Sequence, residues 1–331
     1  MAMRESGAWA GVRPILMIWL NDPTGFGGLR LPTFNIEDAA FSGLGLLTRR
    51  PGAAIAWALV WAVLVALVAI PFAGALAAYV TLVAKTGGHF SPYQLVPIAP
   101  QLGAFGLLMG LGGLVVGAVV SCAVYRAVLE PESSGFAYLR LGDQEIQVML
   151  VNFVRGVILF IINFVISITV AMMVILAGEG AMLATAIRLI GELILIGVIF
   201  WVQLRFSLAG PMTYVDHRFR LFESWTLTRG LIGRLLAVGL ILVIIGVVVY
   251  LAVVSLAIAG CLALWNNAPR PGDVQALLTL PPAQWMVALA PFIALISGMV
   301  VLAAAILTPI GLAPWPQIYR ALNGEGAPAS T

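Results

Sequence analysis

Hydrophobic positions fall into six long blocks, at 55–80, 105–124, 151–176, 183–206, 235–262 and 285–310, and the segments before, between and after them hold most of the arginines. A helix needs about 20 mostly apolar residues to cross a hydrocarbon layer of ~30 Å, and every block is long enough. Alternating barrel strands would give shorter, interrupted runs, and an open sheet would leave its edge unpaired in lipid. The pattern therefore predicts an all-α, polytopic membrane protein with six transmembrane helices. Pro71 in the first block and Pro291 in the last predict kinks, because proline lacks the N–H that the helix ladder uses. Gly106, Gly110, Gly113 and Gly117 repeat on one face of the second block and predict close helix packing there.

Three amphipathic segments interrupt the blocks. In residues 35–50, Asn35 is placed to cap a helix, and Ile36, Ala40, Leu44 and Leu47 form one apolar stripe. Residues 216–229 repeat the design with Phe219, Phe222 and Trp225. Residues 138–149 mix Leu139, Leu141, Ile146 and Val148 with Arg140, Asp143 and Glu145. The exits repeat too: Val124-Tyr125-Arg126-Ala127-Val128 after the second block resembles Ile318-Tyr319-Arg320-Ala321-Leu322 after the sixth. The expected organisation is three parallel units, each an amphipathic elbow followed by a transmembrane hairpin.

Composition supports the membrane class. Hydrophobic residues make up 62% of the 331 and charged residues 9%, too few to cover a water-facing globule of this size. The net charge of +3 does not point to nucleic acid, because the cations follow topology. Fourteen of the 17 basic residues fall on one side of the six spans, leaving Lys85, Arg188 and Arg270 on the other. The positive-inside rule then predicts a multi-pass protein of the bacterial inner membrane with both termini in the cytoplasm. Residues 1–50 form an N-terminal segment with its interfacial helix, 51–320 the membrane domain and 321–331 a short tail. The apolar run at 14–20 is short for a signal core and is expected to stay attached.

One segment carries a resemblance. Phe219-Arg220-Leu221-Phe222-Glu223-Ser224-Trp225-Thr226-Leu227-Thr228-Arg229-Gly230, leading into Arg234-Leu235-Leu236, resembles an element of uncharacterised bacterial inner-membrane proteins. It is similar to the membrane region found alone or fused to glycerophosphoryl diester phosphodiesterases, and residues 41–51 resemble that region's opening elbow. The resemblance implies a helical membrane domain without assigned chemistry. No hydrophilic stretch here is long enough to hold the phosphodiesterase domain itself.

Candidate chemistry rests on polar residues inside the spans, which are costly there. Arg188 and Glu192 are four apart on the fourth span and can pair, and Gln203 continues their stripe. On the third span Asn152 and Asn163 form a matching stripe flanked by Arg155. A short Gly178-Glu179-Gly180 turn joins the two helices, so a polar seam is expected between them. It reads as a structural lock, as a path for a solute, ion or proton, or as Arg188 reaching outward beside a protonated Glu192. At the elbows, Arg49, Arg50, Arg218, Arg220 and Arg229 are candidates for lipid or partner contact. Ser224, His217 and Asp216 are close in sequence, which does not make a triad. No metal set, cofactor motif or catalytic constellation stands out, and Cys122 and Cys261 are too far apart to bond. The expected function is non-catalytic: an accessory, assembly or lipid-interacting membrane component, with lipids, a second copy or another membrane protein as partners. A transporter or channel along the seam is the alternative.

Overall fold

The structure, a computed structural model, describes residues 34–87, 91–132, 135–178, 182–267 and 282–323. The opening segment through residue 33, His89, the Glu179-Gly180 turn, Arg270 and the last residues of the tail lie outside that range. The fold is 87% helical with no strand among the described residues, and six of its helices are long and apolar enough to span a membrane. The all-α, six-span architecture is therefore as the hydrophobic pattern predicts.

Helix α1 (Ile36–Arg49) is the first elbow, capped by the Asn35 side chain accepting from the Glu37 N–H at 3.0 Å. The first span is α2 (Pro51–Ala69), and the chain turns before α3 (Ala73–Thr86). Pro71 thus ends the first span where a kink within 55–80 was expected. Its missing N–H leaves tight turn bonds, from the Phe72 N–H to the Ala69 carbonyl and from the Ala73 N–H to the Ile70 carbonyl. Nineteen residues give α2 about 28 Å, close to the thickness of a bilayer core. The other spans are α4 (Ala99–Leu129), α5 (Asp143–Ala177), α6 (Met182–Arg205), α9 (Ile232–Asn267) and α10 (Pro282–Leu312). Helices α7 (Ala209–Asp216) and α11 (Pro314–Leu322) follow spans four and six, and α8 (Leu221–Leu227) is the elbow before span five. The middle elbow is not a separate helix. Between Asp143 and Ala177 the chain has no proline and one glycine, Gly156, so the segment runs straight into its span.

The six spans follow one another around a ring in chain order, and α10 returns to pack on α2. The segments preceding the hairpins pack cyclically. Helix α1 lies on α9, α10 and α11, the turn Phe136–Tyr138 lies on α2 and α4, and α8 lies on α7. The apolar stripe of α1 therefore faces protein: Ala39, Ala40 and Gly43 are buried. Gly43 is required there, because a Cβ would come within 2.5 Å of the Pro309 carbonyl oxygen and the Ile310 Cα. In α4, Gly112 backs onto Leu64, and Gly113 and Gly117 face Trp61. Gly106 and Gly110 meet nothing, so close packing covers only part of the expected glycine face.

Buried side chains gather at one end of the bundle, where the elbows and most of the described arginines sit. Trp57, Val120, Val124, Tyr138, Leu208, Leu221, Leu235, Val238, Ile310 and Ile318 are all enclosed there. Toward the opposite end the described core thins to Ala77, Val174, Ala184, Gly191 and Leu195. On α2, Val63 and Val65 are both exposed although about 200° apart on the helix. That half of the bundle leaves its hydrophobic surface to the lipid solvent.

Candidate functional site

The exits of the three hairpins meet at the arginine-rich end, where the end of α4, α7 and α11 pack pairwise on one another. Each contributes a tyrosine. The Tyr125 and Tyr214 rings meet edge to face at 5.9 Å, an arrangement their quadrupoles favour. Gly210 permits this approach, since a Cβ there would strike the Tyr125 hydroxyl. The Tyr319 hydroxyl donates to Asp216 Oδ2 at 3.4 Å, and the Tyr214 hydroxyl donates to Glu130 Oε1 at 3.1 Å.

Beneath this junction Arg126 and Glu145 form an ion pair whose side chains are each 4% exposed. Arg126 also donates to the Tyr138 carbonyl at 2.8 Å and to Gln144 Oε1 at 3.3 Å, and its guanidinium lies 5.7 Å from the Tyr214 ring centre. These bonds matter because the connecting turn holds Ala137 at φ 49° and Tyr138 at φ 61°, a left-handed region costly for residues with a Cβ. Trp57 Nε1 donates to the Ala137 carbonyl at 2.9 Å, and Arg50 and the Tyr138 hydroxyl each donate to the Pro131 carbonyl at 3.1 Å. The turn is over-determined, so it can hold an unfavourable backbone.

A cavity of about 230 Å³ opens at the same junction. Its polar walls are Glu130, Gln144, Tyr214, His217 and Arg320, with Leu129 and Val215 supplying the apolar remainder. Because Gln144 Oε1 accepts from Arg126, its amide nitrogen turns outward and lies 3.2 Å from His217 Nδ1.

The expected polar seam is arranged differently. Helices α5 and α6 do pack together, but around an apolar contact in which Val170 sits against Gly191. The buried positions on α6 are Ala184, Gly191, Leu195, Val202 and Leu204. Glu192 and Gln203 each follow one of them by one residue and so sit about 100° round the helix. Both are exposed, as are Arg188 and Asn163. The ion pairs among the described residues are Arg126–Glu145, Arg220–Asp216 and Arg220–Glu223, so Arg188 and Glu192 are not joined. Asn152 and Arg155 separate from that group. They are half-buried one to two turns beyond Val148, and Arg155 interacts electrostatically with Tyr125.

The elbow arginines also divide. Arg50 stacks over the Tyr138 ring at 5.5 Å, and Arg220 bridges Asp216 at 2.9 Å and Glu223 at 3.2 Å. Arg49, Arg218 and Arg229 are exposed, and their side chains make no hydrogen bond or ion pair among the described residues. Ser224, His217 and Asp216 are not gathered. The Ser224 hydroxyl is fully buried and donates to the Arg205 carbonyl at 2.8 Å, whereas Asp216 faces Arg220 and His217 faces Gln144.

The segment 219–230 has a structural use in this fold. Trp225 covers Arg205 at 5.2 Å from guanidinium to ring centre, with Trp201 at 5.5 Å on the same cation. Trp225 also meets Trp201 and Phe206 edge-on or tilted. The elbow thereby closes the open end of α6. Among the described residues no group of three or more His, Cys, Asp or Glu could hold a metal ion, and Cys122 and Cys261 are free.

The Arg126–Glu145 pair and the cavity beside it were missed by sequence reasoning. Arg126 reads as a topology cation and Glu145 as part of an amphipathic face. The available signal was a charge at each end of a short turn between two apolar helices. No protein-family model, curated protein or solved structure matches this chain.

Proposed function

We propose that this multi-pass protein is a non-catalytic component of the bacterial inner membrane, with both termini in the cytoplasm, that holds anionic lipid at three basic entrances. It then works as an accessory or assembly factor through that grip. The supporting observation is a recurring pair of exposures at the hairpin entrances. Exposed Phe41 (49%) and Arg49 share the first entrance helix, exposed Leu141 (82%) directly follows exposed Arg140, and exposed Phe222 (63%) lies between exposed Arg218 and Arg229. Outward apolar side chains and outward guanidiniums on the same entrance segment suit the boundary between acyl chains and phosphates. Each such arginine is worth about 1 kcal/mol near an anionic leaflet, and the positive-inside rule favours the cytoplasmic leaflet.

The cyclic packing of each entrance on the preceding hairpin, and the convergence of the three exits, support a history of parallel duplication into three units. The transport alternative depended on a polar seam, and the apolar Val170–Gly191 contact leaves it less supported.

Native mass spectrometry of the protein released from nanodiscs tests the reading. Phosphatidylglycerol is expected to remain bound in preference to phosphatidylcholine, and the combined Arg49→Gln, Arg218→Gln and Arg229→Gln variant to lose that preference. Equal retention of both lipids, unchanged in the variant, would overturn it.

A further inference from the structure

We propose that Arg205, boxed between Trp201 and Trp225, holds one anionic phospholipid by its phosphodiester at the third entrance. The site deepens the lipid reading and rests on it for the leaflet that supplies the ligand. Unlike the exposed arginines, Arg205 is held in place by its neighbours, so it takes a single lipid in a fixed position.

Depth comes first. The 24 residues of α6 give about 36 Å, slightly more than a hydrocarbon layer of ~30 Å, and Arg205 is the last of them. A side chain there meets the layer in which lipid phosphates lie.

The donors come next. A guanidinium is a planar fork of N–H groups. In Arg205, Nη1 donates to the Trp225 carbonyl at 3.5 Å, the far limit of such a bond, and Nε is enclosed with no hydrogen-bond partner. Nη2 makes no hydrogen bond among the described residues and is not enclosed, so its donors are open to an incoming oxyanion. The ion pairs among the described residues leave Arg205 out, so no carboxylate neutralises it.

The orientation of the fork is fixed. The guanidinium carbon lies 5.5 Å from the Trp201 ring centre and 5.2 Å from that of Trp225, and the two indoles meet at 90°. The ring quadrupoles hold a cation in such a place. The Trp225 wall is itself anchored, because Ser224 and Thr228 tie its elbow to the Arg205 carbonyl. A fork already in position loses less freedom when it binds.

The surroundings select a ligand with a tail. Trp201 is 44% exposed, and Phe219 and Phe222, on the elbow that carries Trp225, also face outward. An acyl chain covers such surface and a water-soluble phosphate ester does not. The uncompensated positive charge selects an anionic lipid over one whose headgroup brings its own cation.

The test uses the full chain reconstituted in nanodiscs of phosphatidylglycerol and phosphatidylcholine, released into detergent and washed at about 1 M salt, where the Debye length falls to ~3 Å. Lipids on the exposed arginines are screened off, and a lipid in the box stays. Native mass spectrometry is expected to show one retained phosphatidylglycerol per chain. Arg205→Lys keeps the charge and loses the planar fork, and should lower that occupancy about tenfold or more. Trp201→Leu keeps apolar bulk and removes one wall, and should lower it about threefold. It decides the matter if the thermal midpoint shows that Arg205→Lys is unfolded. Ser224→Ala frees the Arg205 carbonyl, leaves the guanidinium alone and should retain the lipid. No salt-resistant lipid, retention unchanged in Arg205→Lys and Trp201→Leu, or equal loss in Ser224→Ala overturns the proposal. Displacement by acyl-free glycerophosphoglycerol at the concentration of the lipid also overturns it, since the ligand would then come from the cytosol. The Arg49/Arg218/Arg229 variant should keep the salt-resistant lipid while losing the salt-labile preference. Loss of one with the other intact therefore shows which of the two readings has failed.

Discussion

Arg126 and Glu145, nineteen residues apart and on opposite sides of a turn, are joined by an ion pair that solvent barely reaches. The pair fastens the end of the second span to the start of the third and keeps Ala137 and Tyr138 in left-handed backbone. Removing one partner strands the other charge away from water. Arg126→Met or Glu145→Gln alone is expected to destabilise the protein by about 3–5 kcal/mol. The double variant Arg126→Met/Glu145→Gln should cost clearly less than the two single losses added together. Thermal unfolding of the four proteins in one detergent measures this, and strict additivity would contradict the pairing.

Gly43 and Gly45 lie two residues apart on α1 and should respond oppositely to the same change. An added methyl at Gly43 meets backbone atoms of Pro309 and Ile310, which cannot rotate away, whereas nothing lies within 4 Å of Gly45. Gly43→Ala should lift the elbow and raise its susceptibility to limited proteolysis. Gly45→Ala should leave proteolysis unchanged and stabilise by up to about 1 kcal/mol through helix propensity.

Ser224 and Thr228 both reach the Arg205 carbonyl at the end of α6, at 2.8 Å and 3.5 Å. Ser224→Ala should cost about 1 kcal/mol, the usual net value of one such bond. Trp225→Ala should cost more, because it removes apolar cover and the ring over Arg205 together. Tryptophan emission provides a second readout, since Trp201 loses its edge-on neighbour in the same variant.

The α5–α6 contact gives a prediction that separates packing from polarity. Gly191→Val presses on Val170 and is expected to destabilise by about 1–3 kcal/mol. Arg188→Ala and Glu192→Gln, made singly and together, should show coupling below about 0.5 kcal/mol, because the two side chains do not touch. Coupling well above that value would restore the pair expected from their spacing.

Six spans were legible because hydropathy reports which residues can sit in lipid, and α4, α5, α6, α9 and α10 fall close to their expected blocks. The same signal says little about which way a side chain faces. Arg188 and Glu192 share a helix with Gly191, and only the position of Val170 on the neighbouring helix decides which of them packs inward. Span one shows a second gap. Its apolar run continues past Pro71, so composition alone could not reveal that the helix stops at Ala69. The polar junction was least legible of all. Glu130, Gln144, His217 and Arg320 come from four separate parts of the chain, and each looks like an ordinary interfacial residue until the three exits are brought together.

The gathering of buried side chains at one end has a mechanical consequence. A bundle bound at its stems and loose at its tips can meet a thicker or thinner bilayer by tilting the loose ends, at a fraction of a kcal/mol for each ångström of mismatch. The stems need not shift. Lipid composition could thus vary with growth conditions while the pocket beside Arg320 kept its shape.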